Sequence, residues 1–178
     1  MRVIVLYASR YGSTREIAEF IAEKLRQRGA QAEARGVDAA PDPGDYDAAV
    51  IGSAVYMGHW MKEAVEFVRR NRTALAGMPV WLFSSGPLEL GPEIASIDDP
   101  KLEPEEISGF WETIHPRGHR VFFGALDPGR LGIAHRMIRR LPAARAILPE
   151  GDFRDWNDIE AWAESIAHAL VTQPVAPA

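Results

Sequence analysis

Val3-Ile4-Val5-Leu6-Tyr7-Ala8-Ser9-Arg10-Tyr11-Gly12-Ser13-Thr14, two residues in from Met1, is the stretch that decides the fold. Val3 to Tyr7 is a continuous apolar run, the mark of a strand covered on both faces. A polar loop, Ser9 to Thr14, follows at once. Beyond it Ile17, Phe20, Ile21 and Leu25 recur on one stripe, as a helix requires. Ser13 and Glu16 have the spacing of a capping box, and Gly29 is placed to stop the helix. Strand, polar turn and helix in that order form the first unit of an alternating α/β protein.

The same rhythm continues outward. Gln31 to Arg35 reads as a second strand and Pro41 to Gly44 as a loop. Ala48 to Gly52 reads as a third strand, followed by a Gly-containing loop from Ser53 to His59. Met61, Val65 and Val68 line a helix running to about Ala74. Val80 to Phe83 is a fourth strand, ending in Ser84-Ser85-Gly86-Pro87. A short helix is expected around Glu105 to Trp111, and Val121 to Ala125 is a fifth strand. A last helix, capped by Asp155, would pack through Ile159, Trp162, Ile166 and Leu170. The expected architecture is a three-layer, doubly wound α/β fold with a five-stranded parallel sheet in the order 2-1-3-4-5. Ligands of such sheets bind beyond the carboxyl ends of strands 1 and 3, where the winding reverses, and the two most polar loops fall there.

The 178 residues fit one domain over residues 1–171, with a tail at 172–178 expected to be disordered. Inserts are expected at about 88–118 and 127–151, the second beside strand 5. A hydrophobic content of 47% and a charged content of 25% are those of a globular protein. No apolar run approaches the roughly 20 residues of a membrane span. The absence of cysteine removes disulfides, thiolate metal sites and cysteine nucleophiles, and no metal site is expected. The net charge of −5 disfavours nucleic-acid binding. A cytoplasmic setting is expected, peripheral to the inner face of the membrane if the second insert binds there.

A phosphate needs several donors converging on it. Backbone N–H groups at a helix start supply them, and the hydroxyls of Ser9, Ser13 and Thr14 add more, while Gly12 lets the chain come close. Tyr7 to Thr14 resembles the phosphate loop of flavodoxins. Val50-Ile51-Gly52-Ser53-Ala54-Val55-Tyr56-Met57-Gly58-His59-Trp60 is similar to the second flavin loop of one branch, the menaquinone-dependent protoporphyrinogen IX dehydrogenases. Phe123-Gly124-Ala125-Leu126, a long insert and then Asp155-Trp156 resemble that branch too. The likeness covers nearly the whole chain.

The resemblance implies non-covalent FMN. Ser9, Arg10, Tyr11, Gly12, Ser13 and Thr14 would hold its phosphate. Ser53, Ala54, Val55, Tyr56, Met57 and Gly58 would line one side of the ring, with Tyr56 nearest. Ser84, Ser85, Gly86, Pro87 and Leu88 would flank the other side, and Gly124, Ala125 and Asp127 would close the far edge. Arg10 departs from the neutral loops usual in flavodoxins; it would either pair with the phosphate or stand on the surface. His59 is the one candidate catalytic proton donor, set against an ordinary helix-start histidine. Trp60 would shield the ring or cover the helix start. Trp81, mid-strand, reads as core.

Two segments of opposite charge flank this plan. Asp127 to Glu150 carries five arginines against two acids, interleaved with Leu131, Ile133, Met137, Ile138, Leu141, Ile147 and Leu148. That pattern suits an anionic membrane surface or an apolar substrate bearing carboxylates. Glu89 to Glu106 carries seven acids against Lys101, which would repel such a substrate and attract a basic redox partner. The resemblance implies an FMN-dependent oxidoreductase passing electrons from an organic substrate, protoporphyrinogen IX, to a quinone. A one-electron carrier serving a redox protein partner and an NAD(P)H:quinone reductase remain as alternatives. A response-regulator receiver, which shares the strand order, needs acids where this chain has Ser9-Arg10 and Gly52-Ser53.

Overall fold

The computed structural model describes residues 1–86, 90, 94–127, 129 and 150–172. Pro87 and Leu88, Glu89 and Glu93, nearly all of the 127–151 insert and the tail from residue 173 lie outside them.

The apolar run at the N-terminus forms β1 (Arg2–Ala8), with α1 (Ser13–Gln27) after it. Then come β2 (Gln31–Gly36), β3 (Ala48–Tyr56), a short β4 (His59–Trp60), α2 (Lys62–Arg70), α3 (Arg72–Ala76) and β5 (Val80–Ser85). The chain continues through α4 (Glu106–Ile114), β6 (Gly118–Phe122), β7 (Ala125–Leu126), β8 (Gly151–Asp152) and a final helix, α5 (Trp156–Thr172). The parallel sheet runs β2-β1-β3-β5-β6, the expected order once the short β4 is counted in the chain numbering. Strands β7 and β8 form a separate antiparallel ribbon.

Alternation along the strands divides the core. Val3, Val5, Val50, Trp81 and Phe83 face α1 and α5, meeting Ile17, Ile21, Ile159 and Ile166. Their neighbours Ile4, Leu6, Ile51 and Leu82 face the other layer, meeting Val68, Leu75, Ile107 and Phe110. Successive residues of a strand point to opposite faces, so an unbroken apolar run feeds both layers at once. Trp81 is buried in the first of them, as its mid-strand position suggests.

The structure alters several local expectations. Ser53 to Tyr56 is not loop but the end of β3. The chain then reverses at Met57 and Gly58, both at left-handed φ (53° and 81°), and pairs back as β4. The capping box is absent. Gly12, at φ 95°, is the N-cap; Ser13 Oγ accepts from the Ala125 N–H (3.0 Å), and Glu16 turns to Arg154. The helix after β4 breaks at Asn71, whose side-chain amide donates to the Phe67 carbonyl (2.9 Å). The last long strand starts at Gly118, and Ala125 belongs to the ribbon. Two signals act as read: Gly29 takes φ 92° at the end of α1, and Asp155 Oδ1 accepts from the Asn157 and Asp158 N–H groups.

Candidate functional site

Loops after β1, β3, β5 and β6 gather at the carboxyl edge of the sheet. The β1–α1 loop folds on itself, the Gly12 N–H donating to Ser9 Oγ (3.1 Å). Its left-handed glycine leads into a 15-residue helix whose first-turn N–H groups have no intrahelical acceptor. Together these make an anion site by geometry and dipole. A cleft of about 560 Å³ opens beside the loop, lined by Ser9, Arg10, Tyr11 and Gly12 together with Arg15, Arg35 and other residues. A second, of about 330 Å³, joins Tyr11 and Ser13 to Ala125, Asp127 and the β7–β8 ribbon.

Tyr56 and Met57 stand at the tip of the β3–β4 hairpin, 41% and 98% exposed. The Arg10 guanidinium lies 6.0 Å from the Tyr56 ring centroid, so the phosphate loop and the hairpin meet. Shielding by the surrounding loops raises the Tyr56 phenol above its ordinary range; Tyr11 adds to this and Arg10 opposes it. Val55 is approached from the other side by Gly86, where a Cβ would sit 3.0 Å from the Val55 Cβ. The glycine lets the end of β5 approach this closely without crowding Val55.

Other predicted residues are placed differently. Ser53 is fully buried; its hydroxyl accepts the Met61 N–H (2.9 Å) and anchors the entry to α2. His59 faces α4, with Nδ1 3.0 Å from Glu106 Oε1, and lines a separate cleft with Glu105 and Glu106. Trp60 turns inward, packs on Phe110 and donates its indole N–H to Ser84 Oγ (2.8 Å).

That last bond belongs to a network invisible in the sequence. An indole N–H can only donate, so Ser84 accepts from Trp60 and its own O–H is directed to His119 Nε2 (2.8 Å). His119 Nδ1 then lies toward Glu103 (3.4 Å). Burial pushes the His119 imidazole down to about 4, so it is neutral at pH 7; the partly exposed Glu103 is screened by water and does not reverse this. Next to Ser84, the buried Ser85 hydroxyl has no hydrogen-bond partner among the described residues.

Arg154 is the second residue with no sequence signal. Its side chain is 7% exposed, bonded to both Asp152 oxygens (2.7 Å each), to Glu16 (2.7 Å) and to the Ser13 carbonyl (3.4 Å). Its guanidinium stacks over Trp156 at 4.5 Å. It thereby ties the first turn of α1 to the ribbon.

The sequence profile of the flavodoxin domain family matches residues 4–146. The chain belongs to the flavodoxin domain family. Within it, the Escherichia coli (strain K12) protein named protoporphyrinogen IX dehydrogenase (quinone) is 35% identical over 180 residues, covering 94% of this chain and 96% of that protein. Among solved structures, an archaeal flavodoxin superposes with a TM-score of 0.61 at 13% identity, covering 96% of this chain and 99% of its own. Rubredoxin oxygen:oxidoreductase from Desulfovibrio gigas superposes at 0.62 and 14% identity, covering 98% of this chain and 37% of that one. These structural likenesses speak for the fold alone. Family and relative together give the class: this flavodoxin-domain chain is an FMN-type oxidoreductase. The residues suit such a group, with an anion-binding helix start, a close approach at Gly86 and, at one edge, a Ser85 hydroxyl unpartnered among the described residues. Among the described residues, no helix is long and apolar enough to cross a membrane.

Proposed function

We propose that this protein oxidises protoporphyrinogen IX, or a closely related reduced tetrapyrrole, and passes the electrons to a quinone. The observation carrying this is the 35% identity to the Escherichia coli dehydrogenase across nearly the full length of both chains. Ser9, Arg10, Tyr11, Gly12, Ser13 and Thr14 hold the FMN phosphate. Tyr56 and Met57 on one side, Ser85 and Gly86 on the other, border the ring, with Ala125 and Asp127 at the far edge. Bound FMN supplies the acceptor that takes hydrogen from the substrate and gives it up to the quinone.

The chain's share is position, electrostatics and exclusion of water. Arg154 neutralises Glu16, which would otherwise set a carboxylate near an anion at the same helix start. The Trp60–Ser84–His119 network fixes the end of β5, so Ser85 stays in register with Ala54 of β3. His59 is engaged by Glu106 and takes no proton-transfer role in this reading.

Four of the seven acids in the acidic segment, which argued against an anionic substrate, have local partners. Asp98 pairs with Arg120, Asp99 caps the turn at Lys101, Glu103 faces His119, and Glu106 holds His59 and the Trp60 N–H. The 127–150 insert supplies contact with an anionic membrane surface, where quinones reside.

The test is an anaerobic assay of the FMN-loaded protein with protoporphyrinogen IX and menaquinone. Turnover well above that of free FMN is expected; none above it refutes the substrate. Reductive titration separates the carrier reading: a stable one-electron semiquinone favours a flavodoxin-like carrier, direct two-electron reduction the enzyme.

A further inference from the structure

The 560 Å³ cleft extends away from the hairpin, to the far side of β1. Nearly half of its lining comes from the end of β2 and the residues after it, whereas the loops assigned to the ring follow β3 and β5, on the opposite side of β1. Three guanidinium groups, Arg10, Arg15 and Arg35, line it against a single carboxylate, Asp38. In a chain of net charge −5, that is a local reversal of sign. Tyr7 and Tyr11 add aromatic surface.

Neither outer arginine is locked in place. Arg35 meets Glu33 (2.8 Å) and Arg15 meets Glu19 (3.7 Å), with all four side chains between 41% and 57% exposed. Exposed pairs of this kind contribute little and exchange readily for a better partner. A guanidinium takes a carboxylate through two parallel hydrogen bonds, and an aromatic wall suits a flat apolar body between the charges. Arg10, at the inner end of the cleft, also lies 6.0 Å from the Tyr56 ring centroid, next to the hairpin.

We infer that this cleft is a carboxylate subsite, in which Arg15 and Arg35 grip the propionate groups of the tetrapyrrole, while Arg10 at its inner end stays with the FMN phosphate. The inference rests on the proposed function for the identity of the substrate. It assigns charge recognition to the β2 side of the phosphate loop, apart from the flavin-ring loops.

The experiment uses FMN-loaded protein and a redox-inert probe, mesoporphyrin IX, beside its dimethyl ester, which keeps the ring and loses both charges. Binding is read by quenching of tryptophan fluorescence in a non-ionic detergent. The wild type is expected to prefer the diacid by about tenfold or more, the scale of one or two charge-assisted contacts, and to lose that preference as salt rises. The double variant Arg15→Gln, Arg35→Gln should bind diacid and ester alike while retaining FMN affinity. Arg35→Glu should reverse the preference. Equal binding of diacid and ester by the wild type, or a preference that survives the double substitution, overturns the subsite. Preference for the diacid without turnover of protoporphyrinogen would leave the subsite standing as a carboxylate site and remove the proposed reaction.

Discussion

Arg154 illustrates how much of a site can hang on one side chain that carries no motif. It sits between Asp152 and Arg154's own sequence-distant partner, Glu16, with Trp156 beneath. Its carboxylate partners are partly exposed, so water takes up much of the charge left behind when the arginine is removed. Arg154→Met should therefore cost about 1 kcal/mol of stability, measured by urea unfolding, and weaken FMN binding by about tenfold. Nothing in Asp152-Phe153-Arg154 advertises a partner 138 residues earlier in the chain, which is why the sequence did not single it out. Ser9 and Gly12 were legible for the opposite reason: strand, loop and helix are local, and a glycine between them has few other uses. Gly52 shows the same contrast. Its place in a strand was readable, but only the fold shows the Phe83 ring lying over it, so that a Cβ would overlap the ring. Gly52→Ala is expected to destabilise by about 1–3 kcal/mol through overpacking, as thermal unfolding would register.

At the scale of elements, the β3–β4 hairpin departs most from the sequence reading. Ser53 to Gly58 mixes polar, small and aromatic residues, and without its partner strand that mixture reads as a loop. The hairpin is fixed by two successive left-handed residues, one of them Met57, a conformation that L side chains adopt at a cost. Its side chain is almost wholly exposed, so packing within the chain does not explain the choice. Met57→Asn should relax the turn and stabilise the protein by up to about 1 kcal/mol, seen as a higher Tm. The last helix was readable in both cap and stripe, because Asp155 caps locally and the apolar spacing is regular. The capping box at Ser13 and Glu16 was equally regular, yet tertiary partners, Ala125 and Arg154, claim both side chains.

For the whole molecule, the sheet order and both packing layers followed from alternation of strands and helices, since a run of Val, Ile and Leu must be covered on both faces. The buried Trp60–Ser84–His119 network, with the partly exposed Glu103 at its end, did not follow, because its members come from four separate segments. It makes stability depend on pH. The unfolded imidazole takes a proton near 6.5, the buried one only near 4, so the unfolded state binds more protons between those values. The stabilisation is complete above about pH 7, declines as pH falls, and is lost by about pH 4. From pH 7 to pH 5 the loss is expected to be about 2 kcal/mol by urea unfolding, and His119→Gln should remove that part of the slope.

All of these scales converge on a flavin held where the sheet's winding reverses. The most direct measurement is titration of flavin-free protein with FMN, followed by quenching of flavin fluorescence. One FMN should bind per chain at micromolar concentration or below, and Gly12→Val should weaken it by at least about tenfold. Folded protein that leaves FMN fluorescence unchanged, or a Gly12→Val variant that binds as well as the wild type, would contradict the account.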